Sequence, residues 1–166
     1  AQLSGDEKAA SVFFEEMTEI KETELLGLRG LITQAMKDND FKMALNLTRK
    51  AYALKPKSDW VSKNLFKLQI RAGCWSEALL TSDALLKNGL LDKYVNKKRK
   101  CVLLYQLSLE KIDEGNTKRR RGFLEKSIGF DPTFIPAVSS YAKILIESGK
   151  NKKAMKLIEK TWTKSP

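Results

Sequence analysis

LLGLRGLITQAMKDNDFKMALNLTRKAYALKPKS, residues 25–58, contains two amphipathic segments joined at Asn39 and closed by Pro56. Apolar residues in it recur at spacings of three and four and almost never alternate, the pattern of helices with one buried face rather than of strands. Asn39 suits a position where the chain leaves a helix through positive φ, and Pro56 lacks the backbone donor a continuing helix needs. The same punctuation extends outward. Gly5, Asn39 and Gly73 stand at steps of 34, and Gly115 and Gly149 repeat that step in the second half of the chain. Ala10, Ala44 and Ala78 follow in the same register, with Ala154 in the last unit. A small residue there lets the second helix of a pair approach the first closely. Pro132 and Pro166 are again 34 apart, whereas Pro56 and Pro132 are 76 apart, which is two steps plus eight residues.

A fixed step of this length marks a repeat array, in which no unit buries its apolar face alone. LGLRGL (26–31), DFKMAL (40–45), Leu54 and Pro56 together resemble a tetratricopeptide repeat (TPR), as does the stretch from Pro136 to Pro166. The resemblance implies an all-α fold, a TPR-like right-handed solenoid of antiparallel helix pairs. In that frame residues 1–24 are the second half of a truncated upstream repeat, 25–58 the first unit and 59–92 the second. Residues 93–134 are the third unit, its first helix lengthened by the eight residues before Cys101, or about two turns, and 135–166 are the fourth. Phe13, Phe14 and Met17 are expected to form an apolar helical face that covers the first complete unit. The chain departs from the family pattern at Leu28, Ser62, Leu104 and Val138, where tryptophan is usual, at Arg120, where alanine is usual, and at Leu90, which replaces the closing proline.

GDEKAA (5–10), FFEEM (13–17), ETELLGLRG (22–30), the ALKP run ending at Pro56 and RAGCWSEAL (71–79) further resemble the repeat region of alphaproteobacterial HemY-type proteins. That likeness implies a parent anchored in the bacterial inner membrane by helices upstream of this stretch, a cytoplasmic repeat region and an association with haem biosynthesis.

Composition narrows the chemistry. Histidine is absent, which removes the commonest general base, metal ligand and haem axial ligand at once. No nucleophile elbow, HExxH helix or phosphate-binding loop occurs, so no enzyme, metal site or small-molecule substrate is expected. The paired carboxylates Glu15, Glu16, Glu19 and Glu22 read as a solvated helical face. Cys74 and Cys101 are the only cysteines and lack a CxxC spacing, so reduced, partly buried thiols are expected. No apolar run reaches the ~18 residues a membrane-spanning helix needs. The net charge of +11 is uneven, with 4 Lys and Arg against 9 Asp and Glu in residues 1–40 and a strongly basic remainder.

The family geometry places the first helix of each pair along a concave groove. The groove-facing positions are Arg29, Thr33 and Lys37, then Trp60, Lys63, Asn64, Lys67 and Arg71, then Tyr105, Gln106, Ser139, Ser140 and Lys143. Such a groove suits a protein partner carrying an acidic segment or a free C-terminus. The two-carboxylate clamp of chaperone-binding TPRs is not reproduced, because only Asn64 is identical among Arg29, Thr33, Asn64, Val102 and Gln106 at the matching positions. The basic runs 97–100, 118–121 and 150–153 fall at a helix start and two turns rather than on one face, which disfavours nucleic acid. No cofactor is assigned. Two alternatives stay open: haem or porphyrin held at the groove or at Cys74, and anionic lipid or RNA on the basic surface.

Overall fold

The computed structural model describes residues 7–113 and 115–164; Gly5 and Pro166, two of the expected punctuation residues, lie outside them. The described residues hold no strand and form nine helices: α1 Glu7–Thr18, α2 Glu24–Lys37, α3 Phe41–Leu54, α4 Asp59–Arg71, α5 Trp75–Lys87, α6 Lys93–Asp113, α7 Thr117–Phe130, α8 Ile135–Glu147 and α9 Asn151–Trp162.

Helix ends follow from local chemistry. Asp40 accepts from the Met43 amide at 2.9 Å, Asn116 from Arg119 at 3.0 Å and Asp92 from Tyr94 at 2.7 Å, each satisfying an amide that the first turn leaves unpaired. Asn39, Gly73, Gly89, Gly115 and Gly149 all have φ between 59° and 72°. The amide after each bonds back to a carbonyl five residues earlier, as in Cys74 to Gln69 at 2.8 Å and Lys150 to Leu145 at 2.8 Å. This is the left-handed exit by which one helix ends sharply and the next returns alongside it. Ala10, Ala44, Ala78 and Ala154 are all 0–1% exposed, so the alanine register marks points of close helix approach. Arg120, at the corresponding place in α7, is half-buried.

The chain divides into two compact units, Ala1–Cys74 and Trp75–Pro166. The boundary falls inside the stretch 59–92, so α4 belongs to the first unit and α5 to the second.

In the first unit α2 and α3 form a hairpin whose groove α4 fills. Leu28, Ile32 and Ala51 make one core with Val61, and Ala35, Ala44 and Leu45 make another with Leu65 and Leu68. Helix α1 lies so close on α2 that a Cβ at Gly27 would meet the Phe14 carbonyl oxygen at 2.6 Å, and one at Gly30 would meet the Phe14 ring at 2.4 Å. Phe13 does not share that face and is 59% exposed. Ala10, Phe14 and Met17 follow the i, i+4, i+7 spacing of one helical stripe, and Phe13 sits about 100° away from Phe14 around the helix.

The second unit runs from α5 to α9. Its α6 begins at Lys93, two turns before Cys101, and the extra turns are tied down by polar contacts. Buried Asn96 accepts from Ser82 Oγ at 2.7 Å and donates to Asp83 at 3.1 Å, while Lys100 reaches both Asp83 oxygens at 2.9 Å. Lys98 pairs with Asp131, the residue that ends α7, and Ser127 Oγ donates to the Cys101 carbonyl at 2.7 Å. Beyond this, Leu124 packs with Ala137 and Ile144 of α8, and Ala142 and Leu145 pack with Ala154 of α9.

Candidate functional site

Within the first unit, α2 and α4 bring eight of the groove residues, Lys37 at the end of α2 among them, onto neighbouring helices. Their meeting point is a cation–π contact: the Arg29 guanidinium carbon lies 5.0 Å from the centre of the Trp60 ring. Trp60 is half-buried on the Leu28, Ile32, Ala51 and Val61 core, which fixes the indole and hence the arginine above it. Stacking leaves the guanidinium edge N–H groups available for a carboxylate, the geometry in which arginine binds best. Thr33 Oγ1 donates back to the Arg29 carbonyl at 2.8 Å, and Asn64 Nδ2 donates to the Trp60 carbonyl at 2.8 Å. Both bonds hold these side chains against their own helices.

The remaining cations differ from one another. Lys67 is exposed in the middle of α4. Lys63, one turn earlier, pairs with Asp59 at 2.8 Å, and both side chains are half exposed, so the pair is weakly held and opens readily to an incoming anion. Arg71 lies over the Phe41 ring, 3.4 Å from its centre, at the end of α4. It is drawn towards the start of α3, an interaction that helical spacing along α4 gives no sign of.

Tyr105, Gln106 and Lys143 belong to the second unit and form their own set. Lys143 is exposed on α8 and Gln106 is half-buried. Tyr105 is half-buried and meets Phe134 edge-on with ring centres 5.6 Å apart, against the core around Leu124. Its ring is therefore largely a packing element, set against Phe134 and the core that Leu124 of α7 makes with Ala137 and Ile144 of α8.

The second unit also uses its charges on itself. Burial alone would raise the Asp83 carboxyl, but hydrogen bonds from Lys100 and Asn96, with the Lys100 charge, outweigh that and hold it below the ordinary carboxylate range. Asp131 behaves the same way, burial being overcome by Lys98 and by Thr133, which donates through both its hydroxyl and its amide. Glu125 is held low chiefly by the Tyr141 hydroxyl and then by Arg121. Burial lowers the Arg99 guanidinium from its usual value. In the run 97–100, then, Lys98 and Lys100 are paired and Arg99 is half-buried, which removes most of the phosphate-facing charge that the sequence displays there.

Cys74 is half-buried against the Ala35, Leu65 and Leu68 core, with Arg49 Nη2 at 3.9 Å from its sulfur. Cys101 is buried and bonded to Ser127; burial pushes its thiol up, so it is a poor nucleophile. No helix among the described residues is long and apolar enough to cross a membrane.

No family model matches the sequence, and no curated protein matches it either. Solved structures do. A MamA protein labelled AMB-1 is 12% identical, covers 95% of this chain over 82% of its own, and superposes with a TM-score of 0.50. The fold is of the TPR type. Another MamA structure is 20% identical over 98% of this chain and 91% of its own, with a TM-score of 0.48. PilW, described as a widely conserved type IV pilus biogenesis factor, is 18% identical over 98% of this chain and 71% of its own, with a TM-score of 0.46. At these identities the likeness establishes the helical architecture and leaves function to the site.

Proposed function

We propose that the chain is a protein–protein interaction scaffold, non-enzymatic, whose α2–α4 face docks an acidic or C-terminal segment of a partner. The observation that carries this reading is the Arg29–Trp60 stack, which presents a pre-oriented guanidinium beside exposed Lys67 and the loosely paired Lys63. Thr33 and Asn64 supply uncharged hydrogen-bonding groups beside these cations, and Arg71 adds charge at the helix end. In the repeat frame 25–58, 59–92, 93–134 and 135–166, Tyr105, Gln106 and Lys143 take the groove-facing positions of the second unit and form a separate set there. The likeness to HemY-type proteins supports a parent at the bacterial inner membrane with this region in the cytoplasm. It also supports a partner that is an enzyme of the haem pathway or a subunit of a membrane complex.

The test is a fluorescence-anisotropy titration with a labelled peptide ending in a run of Asp and Glu and a free carboxylate. Binding is expected, weakened at least about tenfold by Lys63→Glu with Lys67→Glu at unchanged helicity. Equal affinity of variant and parent chains removes the α2–α4 face as the docking site.

A further inference from the structure

The hairpin of α6 and α7 carries an open pocket of ≈ 260 Å³, lined by Lys111 near the end of α6 and by Arg119, Gly122, Phe123 and Lys126 of α7. The four α7 residues stand at i, i+3, i+4 and i+7, so they share one face of the helix. No acidic side chain among the described residues lines the pocket. Glu125, the one carboxylate of α7 against five basic residues, is engaged by Arg121 at 2.9 Å and by the Tyr141 hydroxyl of α8.

The sequence shows 118–121 as a single basic run, but the helix sends its members in different directions. Arg121 pairs with Glu125, and Arg120 is half-buried, its enclosed Nε meeting no hydrogen-bond partner among the described residues. Arg119 and Lys126 are exposed, and neither side chain is held by a hydrogen bond or an ion pair among the described residues. Gly122 opens the recess between them. A Cβ added there would meet nothing within 4 Å, the opposite of Gly27 and Gly30, whose bareness admits α1. Glycine inside a helix is disfavoured relative to alanine, and no packing among the described residues asks for it at 122. What it does is leave backbone open at the floor of a cationic recess, where a ligand can come close.

We propose that this pocket is a binding site for a phosphate monoester, carried by a small soluble molecule or by a lipid headgroup. It lies in the second unit, on other helices than the α2–α4 docking face, and does not depend on that reading. A phosphomonoester brings about two negative charges and three acceptor oxygens, which Lys111, Arg119 and Lys126 can share. A carboxylate brings a single charge and fewer acceptors. Arg119 offers a planar fork of donors and the two lysines offer point charges, the two ways in which basic side chains hold phosphate. Phe123 supplies an apolar wall for the carbon skeleton that the phosphate carries. A nucleic-acid strand needs a continuous cationic groove several nucleotides long, and a recess of ≈ 260 Å³ holds one group.

The probe is glycerol 3-phosphate titrated into the whole chain and followed by NMR shifts, with glycerate as the carboxylate control. Saturable shifts are expected at the Gly122 amide and the Phe123 ring, with glycerate at least about tenfold weaker. Two variants read the site in different ways. Arg119→Gln with Lys126→Gln removes charge, whereas Gly122→Leu keeps every charge, fills the recess and favours the helix, so its circular dichroism is expected unchanged. Each should weaken binding at least about tenfold. Undiminished binding by Gly122→Leu overturns the proposal, because it assigns the attraction to diffuse surface charge. Equal affinity for glycerate overturns it likewise, as does tighter, salt-sensitive binding of a single-stranded oligonucleotide that Gly122→Leu leaves intact. Sedimentation with phosphatidylcholine vesicles containing phosphatidic acid separates the two sources. Capture that Gly122→Leu abolishes assigns the monoester to a lipid, and glycerol 3-phosphate binding without capture assigns it to a soluble molecule. Absence of both overturns the site.

Discussion

Both units are built on apolar cores, and the second adds hydrogen bonds and ion pairs between its helices around the lengthened α6. Ile32, Ala44 and Ala51 are fully enclosed among hydrophobic neighbours, and α1 is pressed onto α2 through two glycines. The second unit buries Asn96 and Ser82 against Asp83 and Lys100, and holds the end of α7 with Lys98. Residues 1–74 carry 12 Lys and Arg against 10 Asp and Glu, whereas residues 75–166 carry 19 against 10. In the more basic unit Lys98, Lys100 and Arg121 are spent on internal ion pairs, so total charge alone is a poor guide to where an acidic partner docks. What matters is which cations are left outward and pre-oriented, and in the first unit Arg29 is.

Truncation of a core side chain gives the largest expected difference between the units. Ile32→Ala should cost about 2–5 kcal/mol and lower amide protection in α2 to α4 while α6 to α8 stay protected; hydrogen exchange checks this. Equal loss in both units would break the division. Asn96→Ala should cost about 1–3 kcal/mol, because Ser82 and Asp83 each lose a buried hydrogen-bond partner, and urea unfolding reads it. Acid should separate the units next. Asp83, Asp131 and Glu125 bind protons less readily folded than unfolded, so their contribution is complete above the unfolded carboxylate range near pH ~4 and is lost as pH falls through their lower folded values. Protection of α6 and α7 should therefore fall steeply in acid, and Asp131→Asn should flatten the fall. The smallest effect is at the turns: Gly149→Ala should cost about 1–2 kcal/mol through its left-handed backbone alone.

Much of the fold is legible in the sequence because steric demands are local. A residue that must take positive φ and an alanine that must admit a neighbouring helix announce themselves at a fixed step, as Asn39, Gly73, Gly115 and Gly149 and then Ala44, Ala78 and Ala154 do. The site is less legible. Periodicity along α4 points Lys63, Lys67 and Arg71 outward, but says nothing of Phe41, which draws Arg71 aside from another helix. It places Tyr105 in a groove without showing that Phe134 covers it. The pairs Lys98–Asp131 and Lys100–Asp83 join residues 33 and 17 apart, so the run 97–100 reads as free charge until the helices are assembled.

The central claim is that the α2–α4 face, and not the more basic second unit, receives the acidic segment. Chemical-shift mapping with the acidic peptide tests it most directly. Perturbations are expected at the Trp60 indole N–H, the Arg29 side chain and the amides around Asn64 and Lys67; shifts confined to residues 93–164 would contradict it.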